Sequence, residues 1–242
     1  MGKVIITASG KGGVGKSVFT VNLGAVLAER GVKVALIDMN LGLRSLDIYL
    51  GLENRVIFDV ADVLSGLCAY RRAVIRDKRF PCLHLIPATQ DRGKSASAFC
   101  GEAVADFYAR IGECYDYVIV DGPAGVGPDM TRAAAGGSVA VIVTTLENVS
   151  LRDADMADRV LSEAGVARRV CVLNKVNRDL LRSGIFPGFE DVSTRVRAPL
   201  IGIIQYDENI NIAANCGFPI VIQRGSYIEE NFNSIADRLI SL

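Results

Sequence analysis

The amino-acid sequence predicts an α/β fold in which one doubly wound, mostly parallel sheet carries helices on both faces. Short segments rich in β-branched residues alternate with helical segments along all 242 residues, a pattern typical of parallel strands joined by helical crossovers. A glycine-rich turn joins the first strand to the first helix, and two later strands each end in an aspartate. No Pro/Ser-rich linker and no internal repeat divides the sequence, so a single domain over residues 1–242 is predicted.

The predicted elements follow from hydrophobic periodicity, which assigns continuous apolar runs to buried strands and one-sided apolar stripes to helices. Strands are predicted at 3–8, 33–38, 83–87, 117–121, 138–144, 169–174 and 199–204. Helices are predicted at 16–30, 45–50, 57–65, 95–113, 129–135, 150–164, 189–195, 208–215 and 226–240. The longest apolar runs have the length of strands and are too short to span a bilayer.

An eight-residue turn with the spacing G-x-x-x-x-G-K-S follows the first strand, and a helix with an apolar face begins directly after it. Glycines let successive backbone N–H groups converge on one phosphate, and the helix N-terminus adds positive potential. Lys16 is placed to reach the β- and γ-phosphates, and the Ser17 hydroxyl to ligate Mg²⁺. The motif therefore predicts that the protein binds a nucleoside triphosphate. The residues of this predicted site are Gly10, Lys11, Gly12, Gly13, Val14, Gly15, Lys16, Ser17 and Val18.

Asp38 ends the second predicted strand, and Asn40 follows it two residues later. A carboxylate at the carboxyl end of a strand beside a phosphate-binding loop points toward the nucleotide crevice. We therefore expect Asp38 to hold a water on Mg²⁺ and Asn40 to project toward the same crevice, which makes both candidates for a catalytic role. The alternative for Asp38 is a structural role as a helix N-cap or turn residue.

Asp121 ends the apolar strand 117–121, and the sequence Gly-Pro-Ala-Gly follows it as far as Gly125. A strand of this kind is similar to a Walker B strand, whose carboxylate would hold Mg²⁺ through water. The glycine-rich segment supplies a backbone that can approach the γ-phosphate at Gly125 and move when this phosphate leaves. The signal is weak by itself, but in combination with the loop at 10–17 it indicates a nucleotide site with Mg²⁺.

Composition argues against several other classes of protein. Lys+Arg and Asp+Glu number 27 each, so no global positive field is available to hold nucleic acid. The six cysteines are scattered without a C-x-x-C pair, which predicts reduced, mostly buried thiols rather than disulfides or a zinc site. The sequence opens on a predicted strand without a signal peptide, and a cytoplasmic location is expected.

The stretches 10–17, 38–47 (DMNLGLRSLD) and 121–125 together resemble the MinD/ParA family of dimerising ATPases, and the resemblance extends over the whole chain. It is strongest to the MinD-type branch, whose members act in placement of the division septum. The resemblance implies ATP and Mg²⁺ as ligands and an ATP-dependent homodimer. It also implies that Lys11, the extra lysine of the family's deviant Walker A motif, supplies positive charge to the phosphates bound by the other subunit. The alternative for Lys11 is a solvated loop lysine.

The same resemblance assigns roles to residues farther along the chain. Asn174 would read the adenine edge, and the segment 204–207, with Gln205 and Asp207, would line the base. For Asn174 the alternative is a cap at a strand end. The helix start around Arg152 and Asp153 would meet the second subunit and regulatory division proteins of the MinC and MinE type.

The sequence departs from the family pattern in the nucleotide site. Asn40 stands where the family usually has a second aspartate that orients or polarises the attacking water. Asparagine keeps an acceptor oxygen but loses the charge and the capacity to take a proton, so slow hydrolysis with intact binding is expected. Val18 replaces a threonine, which would remove a side-chain contact to the α-phosphate while its backbone N–H remains.

The last predicted helix forms a third departure, because MinD-type proteins end in a basic amphipathic helix that lies on the membrane. Here the stripe Ile228, Phe232, Ile235, Leu239 and Leu242 is apolar, but the segment carries three acidic residues against one arginine. Anionic lipid would repel such a segment. We therefore expect the stripe to pack on the sheet, no autonomous membrane anchor, and partner-mediated recruitment to the inner face of the plasma membrane.

Two rival functions share the phosphate contacts. A ParA-like partitioning ATPase would need a basic surface for DNA, and the one dense basic run, 71–79, is interrupted by Asp77, so no nucleic-acid partner is expected. An ATP-binding scaffold with little turnover is the other alternative, which Asn40 favours. The related iron-sulfur and arsenite ATPases carry cysteines beside the second aspartate, and residues 121–129 contain none.

Overall fold

The computed structural model describes residues 2–91, 93 and 99–242, which form one eight-stranded sheet flanked by helices. The strands are β1 (Lys3–Ser9), β2 (Val34–Asp38), β3 (Ile75–Arg76), β4 (Leu83–Ile86), β5 (Tyr117–Ala124), β6 (Val139–Thr144), β7 (Arg168–Val176) and β8 (Leu200–Gln205). Their order in the sheet is β3-β4-β2-β5-β1-β6-β7-β8. Strand β3 runs antiparallel to β4, and the other neighbouring pairs are parallel.

Helices connect the parallel strands. They are α1 (Lys16–Glu29), α2 (Leu46–Tyr49), α3 (Val60–Leu64), α4 (Tyr70–Ala73), α5 (Gly101–Gly112), α6 (Pro128–Ala134), α7 (Asn148–Glu163), α8 (Arg178–Arg182), α9 (Phe189–Arg195), α10 (Glu208–Asn215) and α11 (Tyr227–Ile240). Two short 3₁₀ turns lie at Glu53–Arg55 and Ile220–Ile222.

Buried side chains form two clusters, one on each face of the sheet, because successive residues of a strand point to opposite sides. Ile6 and Ile37 belong to the cluster that α5 and α7 cover, whereas Ile5 and Leu36 belong to the cluster under α1 and α11. Both faces of the central strands are therefore dry, which explains why these strands are apolar throughout. The predicted fold, a mostly parallel sheet with helices on both faces, is confirmed.

The last helix packs on the sheet, as its apolar stripe predicts. Phe232 stacks on Phe19 of α1 with ring centroids 5.7 Å apart. Ile228, Ile235 and Leu239 are buried in the same cluster, and Leu242 is half-buried against it. Within the described ranges, no helix is long and apolar enough to cross a membrane.

Several elements differ from the sequence prediction. The short elements α4, β3 and α8 were not predicted, because two to five residues carry too little periodicity to distinguish them from loops. Residues 95–98 of the helix predicted at 95–113 lie outside the described part of the chain, and α5 begins at Gly101.

The prediction of mostly buried thiols is wrong. Cys68 and Cys171 are buried and Cys82 is half-buried, but Cys100, Cys114 and Cys216 are exposed. The three exposed thiols lie at helix ends, where the chain turns back to the surface: Cys100 precedes α5, Cys114 follows it, and Cys216 ends α10. All six are free thiols.

Candidate nucleotide site

The carboxyl ends of three adjacent strands define the site. In the order β2-β5-β1, Asp38 is the register partner of Asp121, and Asp121 in turn is the partner of Thr7. Strand β5 therefore separates Asp38 from the strand that leads into the glycine loop. The sequence placed Asp38 beside the loop, whereas in the sheet it lies beside the second aspartate.

The glycines of the loop are required for two different reasons. Gly13 and Gly15 have φ values of 80° and 91°, a left-handed conformation that side chains disfavour. A Cβ on Gly10 would lie 2.0 Å from the carbonyl oxygen of Asp153, and one on Gly15 would lie 2.3 Å from Nδ2 of Asn174. The loop is thus held against α7 and β7, while Gly12 and Gly13 face open space that extends into the cavity.

Asp121 is the centre of a buried network of side-chain donors. Lys16 Nζ lies 2.8 Å from its Oδ1, and the Ser17 hydroxyl donates to Oδ2 over 2.6 Å. Thr20 donates to Oδ1 over 3.0 Å, and its hydroxyl lies 2.7 Å from that of Thr7. Lys16 is 5 % exposed and Asp121 is fully buried, so this is a desolvated ion pair completed by hydroxyl groups.

Sequence reasoning missed Thr7 and Thr20. Thr20 lies four residues after Lys16 and therefore on the same face of α1. Thr7 lies two residues before the end of β1, pointing to the same side as the aspartate of the neighbouring strand. The spacing from Lys16 to Thr20 was visible in the sequence, but the partner of Thr7 depends on strand order.

Asp38 accepts hydrogen bonds from backbone N–H groups. Its Oδ1 accepts from Asn40 over 2.9 Å, and its Oδ2 accepts from Ser45 and Leu46 over 2.8 and 3.1 Å. These contacts cap the start of α2, which is the structural role that the sequence left open. Burial raises the pKa of Asp38 to about 6, and the nearby charge of Asp121 adds to this shift, while the three backbone donors oppose it.

A cavity of about 320 Å³ opens beside the loop, within the size range of small-ligand sites. Residues 12–18, including Val18, form one wall, and Asn40 and Tyr49 lie on another. The loop after β8 and the first residues of α10 also line the cavity. Gly125, which has a φ of 95°, donates its N–H to Ser9 and lies outside this lining.

The predicted base-binding residues all line the cavity. Asn174 is buried and donates through Nδ2 to the carbonyl oxygen of Val14 over 2.8 Å, so it also braces the phosphate loop. Gln205 and Asp207 line the cavity on either side of Tyr206. Asp207 caps α10 by accepting from the N–H of residue 209 over 2.7 Å, and a hydrogen bond from the Tyr227 hydroxyl lowers its pKa.

Lys11 does not line this cavity. Its ammonium forms an ion pair with Glu147 at the start of α7, and the side chains are 39 % and 51 % exposed. The hydrogen bond from Lys11 lowers the pKa of the Glu147 carboxyl. Arg152 and Asp153 lie on the same helix; Arg152 Nη2 is 3.2 Å from Asp153 Oδ1, and the Arg152 side chain is 71 % exposed.

Residues present in the site fit a magnesium nucleotide. Ser17 Oγ and the Asp121 carboxylate are hard oxygen ligands held 2.6 Å apart, which suits Mg²⁺. The open loop glycines, the buried ammonium of Lys16 and the N-terminus of α1 together form a cradle for phosphate. A glycine loop between β1 and α1 with an aspartate on the adjacent strand defines the class of P-loop NTPases.

The comparisons with known proteins identify the family within that class. Residues 1–240 match the family model described as "ParA: NUBPL iron-transfer P-loop NTPase", and the chain belongs to the ParA/MinD family of P-loop ATPases. It is 38% identical over 240 residues to the septum site-determining protein MinD of Synechocystis, a match that covers 99% of this chain and 90% of the relative. The predicted family is thereby confirmed, and with it a MinD-like ATPase that uses ATP and Mg²⁺.

Two solved structures show the same similarity in three dimensions. The MinC:MinD cell division protein complex of Aquifex aeolicus matches with a TM-score of 0.90 and 34% identity, covering 99% of this chain and 96% of that chain. MinD of Pyrococcus horikoshii, solved in complex with Mg-ADP, matches with a TM-score of 0.88 and 28% identity at 99% and 96% coverage.

Proposed function

We propose that this chain is an ATP-dependent dimerising switch that acts in placement of the division septum. The observation that carries the proposal is the buried cluster of Lys16, Ser17 and Asp121 at the foot of a glycine cradle, in a chain similar to MinD over nearly its full length.

Lys16 is poised to exchange partners when ATP binds. Its ammonium is buried and paired with Asp121, and a phosphate seated in the loop would offer a second anion within reach of the same side chain. The Ser17 hydroxyl and the Asp121 carboxylate would then hold Mg²⁺, which supplies positive charge that neutralises the β- and γ-phosphate oxygens. Asp38, on the neighbouring strand, would orient water next to this site.

Asn40 sets the expected rate of hydrolysis. It lines the cavity two residues beyond Asp38, where its side chain can orient a water through its amide but cannot accept a proton. The protein would therefore bind ATP normally and hydrolyse it slowly. A nucleotide-gated scaffold with little turnover is the second candidate function, because this single residue favours it.

Dimerisation would recruit Lys11. Its ion pair with Glu147 is exposed, and exposed pairs contribute little to stability, so the lysine can leave this partner at small cost. In an ATP-bound homodimer, Lys11 of each protomer would reach the phosphates of the other. The Lys11–Glu147 pair would then be a feature of the monomer.

The start of α7 is the proposed surface for regulators of the MinC and MinE type. Arg152 is strongly exposed, and Val149 and Met156 are exposed apolar residues seven positions apart, which places them on the same face of α7. One solved relative is a complex of MinD with MinC. Recruitment of this chain to the inner face of the plasma membrane would proceed through such a partner.

Binding and assembly can be tested separately. Calorimetry with ATP and Mg²⁺ should show one site per chain, and sedimentation should show dimers with ATP but not with ADP. Lys11→Ala should bind ATP but remain monomeric, whereas Glu147→Gln should dimerise at least as well as the unsubstituted protein. A chain that binds ATP and stays monomeric with Lys11 intact contradicts the switch, and phosphate release separates an ATPase from a scaffold.

A further inference from the structure

A second cavity lies at the amino ends of the parallel strands, whereas the nucleotide site lies at their carboxyl ends. It encloses about 530 Å³ between the amino ends of β2 and β4, the strand β3 and the turn after α5. Its polar lining includes the cations Lys33, Arg71 and Arg76 together with Tyr70, Tyr115 and Cys114. We call this cavity the basic pocket.

The basic pocket concentrates positive charge in a chain whose formal net charge is zero. Three cations line it and no carboxylate does. Among the residues that the structure describes, no carboxylate forms an ion pair with Lys33, Arg71 or Arg76. Other arginines of the chain do have such partners, including Arg30 with Asp237 and Arg169 with Asp158.

Two acidic side chains line a cavity that adjoins the basic pocket and shares Lys33, Cys114 and Tyr115 with it. Asp116 accepts the backbone N–H of Lys33 over 2.7 Å, and both Asp116 and Glu113 line the adjacent cavity instead. Arg55 adds to the positive character by donating to the carbonyl oxygen of Arg76 over 2.9 Å. Among the described residues, Arg71 and Arg76 line only the basic pocket, whereas Lys33 also lines the cavity that holds Glu113 and Asp116.

The positive charges of the basic pocket also affect the pKa of His84. His84 lines the basic pocket opposite Arg76, its register partner, and its Nδ1 lies 2.9 Å from the Tyr115 hydroxyl. Burial lowers the pKa of His84, and the charges of Arg76 and Lys33 lower it further. Lys33, Arg71 and Arg76 are the fixed cations that a ligand would meet in the pocket.

The donor groups of the pocket suit a tetrahedral oxyanion. Arginine guanidinium groups present paired N–H donors to phosphate oxygens, and a lysine adds a point charge. Tyr70 donates its hydroxyl to Cys114 Sγ over 3.3 Å, so the thiol sits among these donors. Val74 and Pro81 supply an apolar wall, and the pocket is larger than inorganic phosphate alone requires.

We propose that the basic pocket binds the phosphomonoester group of a small organic phosphate, with Lys33, Arg71 and Arg76 contacting the phosphate and the apolar wall contacting the organic part. A carboxylate would bring one negative charge to three cations, whereas a phosphomonoester brings nearly two. The site is distinct from the nucleotide site, because it lies at the other ends of strands β2 and β4.

Calorimetry with phenyl phosphate tests the proposal, using the Lys16→Ala chain so that the phosphate loop does not contribute. We expect binding that weakens as salt is raised and that falls at least about tenfold in the Lys33→Gln/Arg76→Gln double variant, since two charge-assisted contacts are lost. The matched control is Arg224→Gln, which removes an exposed arginine outside the pocket and should bind like the parent.

Cys114 provides a second readout. A dianionic aromatic disulfide reagent should label Cys114 faster than the exposed Cys216, and phenyl phosphate should slow labelling of Cys114 but not of Cys216, as mapped by mass spectrometry. Labelling by a neutral disulfide should show a smaller difference between the two thiols. Protection by phosphatidic acid vesicles but not by phenyl phosphate would assign the phosphomonoester to a lipid headgroup instead.

The proposal is overturned if phenyl phosphate fails to protect Cys114, including the case in which only phosphatidic acid vesicles protect it. It is also overturned if the double variant binds phenyl phosphate as tightly as the Arg224→Gln control. Circular dichroism of the double variant checks its fold, and the thiol protection experiment on the unsubstituted pocket does not depend on that variant.

Discussion

The carboxyl ends of β5 and β2 carry two buried aspartates in register, and the two carboxylates are held in different ways. Asp121 accepts hydrogen bonds from side chains, including the ammonium of Lys16. Asp38 accepts from backbone N–H groups in the segment 40–46. A cation neutralises Asp121, whereas burial and the charge of Asp121 raise the pKa of Asp38 to about 6.

The two aspartates therefore differ in how firmly their surroundings hold them. Asp121 is held by a buried cation and hydroxyl groups, whereas Asp38 is bonded to a segment that we expect to move. The segment after Asp38 contains buried polar atoms with unmet hydrogen-bonding capacity: the Ser45 hydroxyl and both carboxylate oxygens of Asp47 have no hydrogen-bond partner among the described residues. Arg44 Nε lies 2.9 Å from Asp47 Oδ2, an ion pair that lacks hydrogen-bond alignment. Because unpaired buried polar groups are costly, this segment is the part of the site that we expect to rearrange with ligand.

Of the substitutions considered, removal of the Lys16 ammonium should have the largest effect, because it is the cation that distinguishes Asp121 from Asp38. In Lys16→Ala, Asp121 loses its counter-charge and ATP loses its buried ammonium contact, so affinity for ATP should fall by about 100-fold or more, typical of a lost charged contact in a dry site. Calorimetry with Mg²⁺ and ATP measures this, with Lys78→Ala as a control for loss of an exposed lysine. Equal ATP affinity in Lys16→Ala and in the control would contradict the assignment.

Thr20→Val tests how much a side-chain hydroxyl beside Asp121 contributes to stability. Side-chain donors of this kind surround Asp121, whereas Asp38 accepts from backbone N–H groups. The substitution keeps the shape but removes a hydroxyl whose oxygen lies within hydrogen-bond distance of Asp121, Thr7 and the carbonyl oxygen of Lys16, and so leaves buried polar atoms with one partner fewer. Unfolding in urea should show a loss of about 2 kcal/mol in the free energy of unfolding. Thr194→Val, at an exposed helix position, should change it by less than about 0.5 kcal/mol.

Asn40→Asp would add a third carboxylate beside the pair. If a proton acceptor at this position is what limits turnover, steady-state phosphate release should rise by about 100-fold, the lower end of general-base contributions. ATP affinity should change little, because residue 40 lines the cavity without contacting the phosphate loop lysine. Unchanged turnover in the variant would show that the amide at position 40 is not the cause of slow hydrolysis.

Asp38→Asn should reveal the raised pKa of Asp38 as a dependence of stability on pH. A raised pKa in the folded state contributes stability below the unfolded value of 3.8, and this stability is lost as pH rises through about 6. The unsubstituted protein should therefore gain about 1 kcal/mol over Asp38→Asn when urea unfolding is moved from pH 7.5 to pH 5. A pH-independent difference between the two proteins would contradict the shift.

Local spacing was sufficient to predict much of the nucleotide site. The sequence GKGGVGKS places Lys16 and Ser17 at the start of a helix because the glycines dictate the backbone of the loop, and Asp121 could be recognised as the polar end of an apolar strand. The apolar stripe of α11 likewise predicted its packing on the sheet. These are features in which the backbone geometry depends on residues close together in the chain.

Other features depend on strand order and on packing, which local sequence does not specify. The sequence predicted seven strands, two of which end in an aspartate, but only the sheet decided that β5 separates β2 from β1 and that Asp38 is the register partner of Asp121. The pairing of Lys11 with Glu147 and the exposure of Cys114 were also decided by tertiary contacts.

The sequence by itself therefore determined the family, the phosphate loop and the identity of the acidic strand ends, since each rests on contiguous residues whose backbone conformation is set locally. Tertiary structure decided which carboxylate is neutralised, which hydroxyls support it, and that Lys33, Arg71, Arg76 and Cys114 converge on one pocket. Those arrangements join residues tens of positions apart, and the order in which parallel strands assemble brings them together.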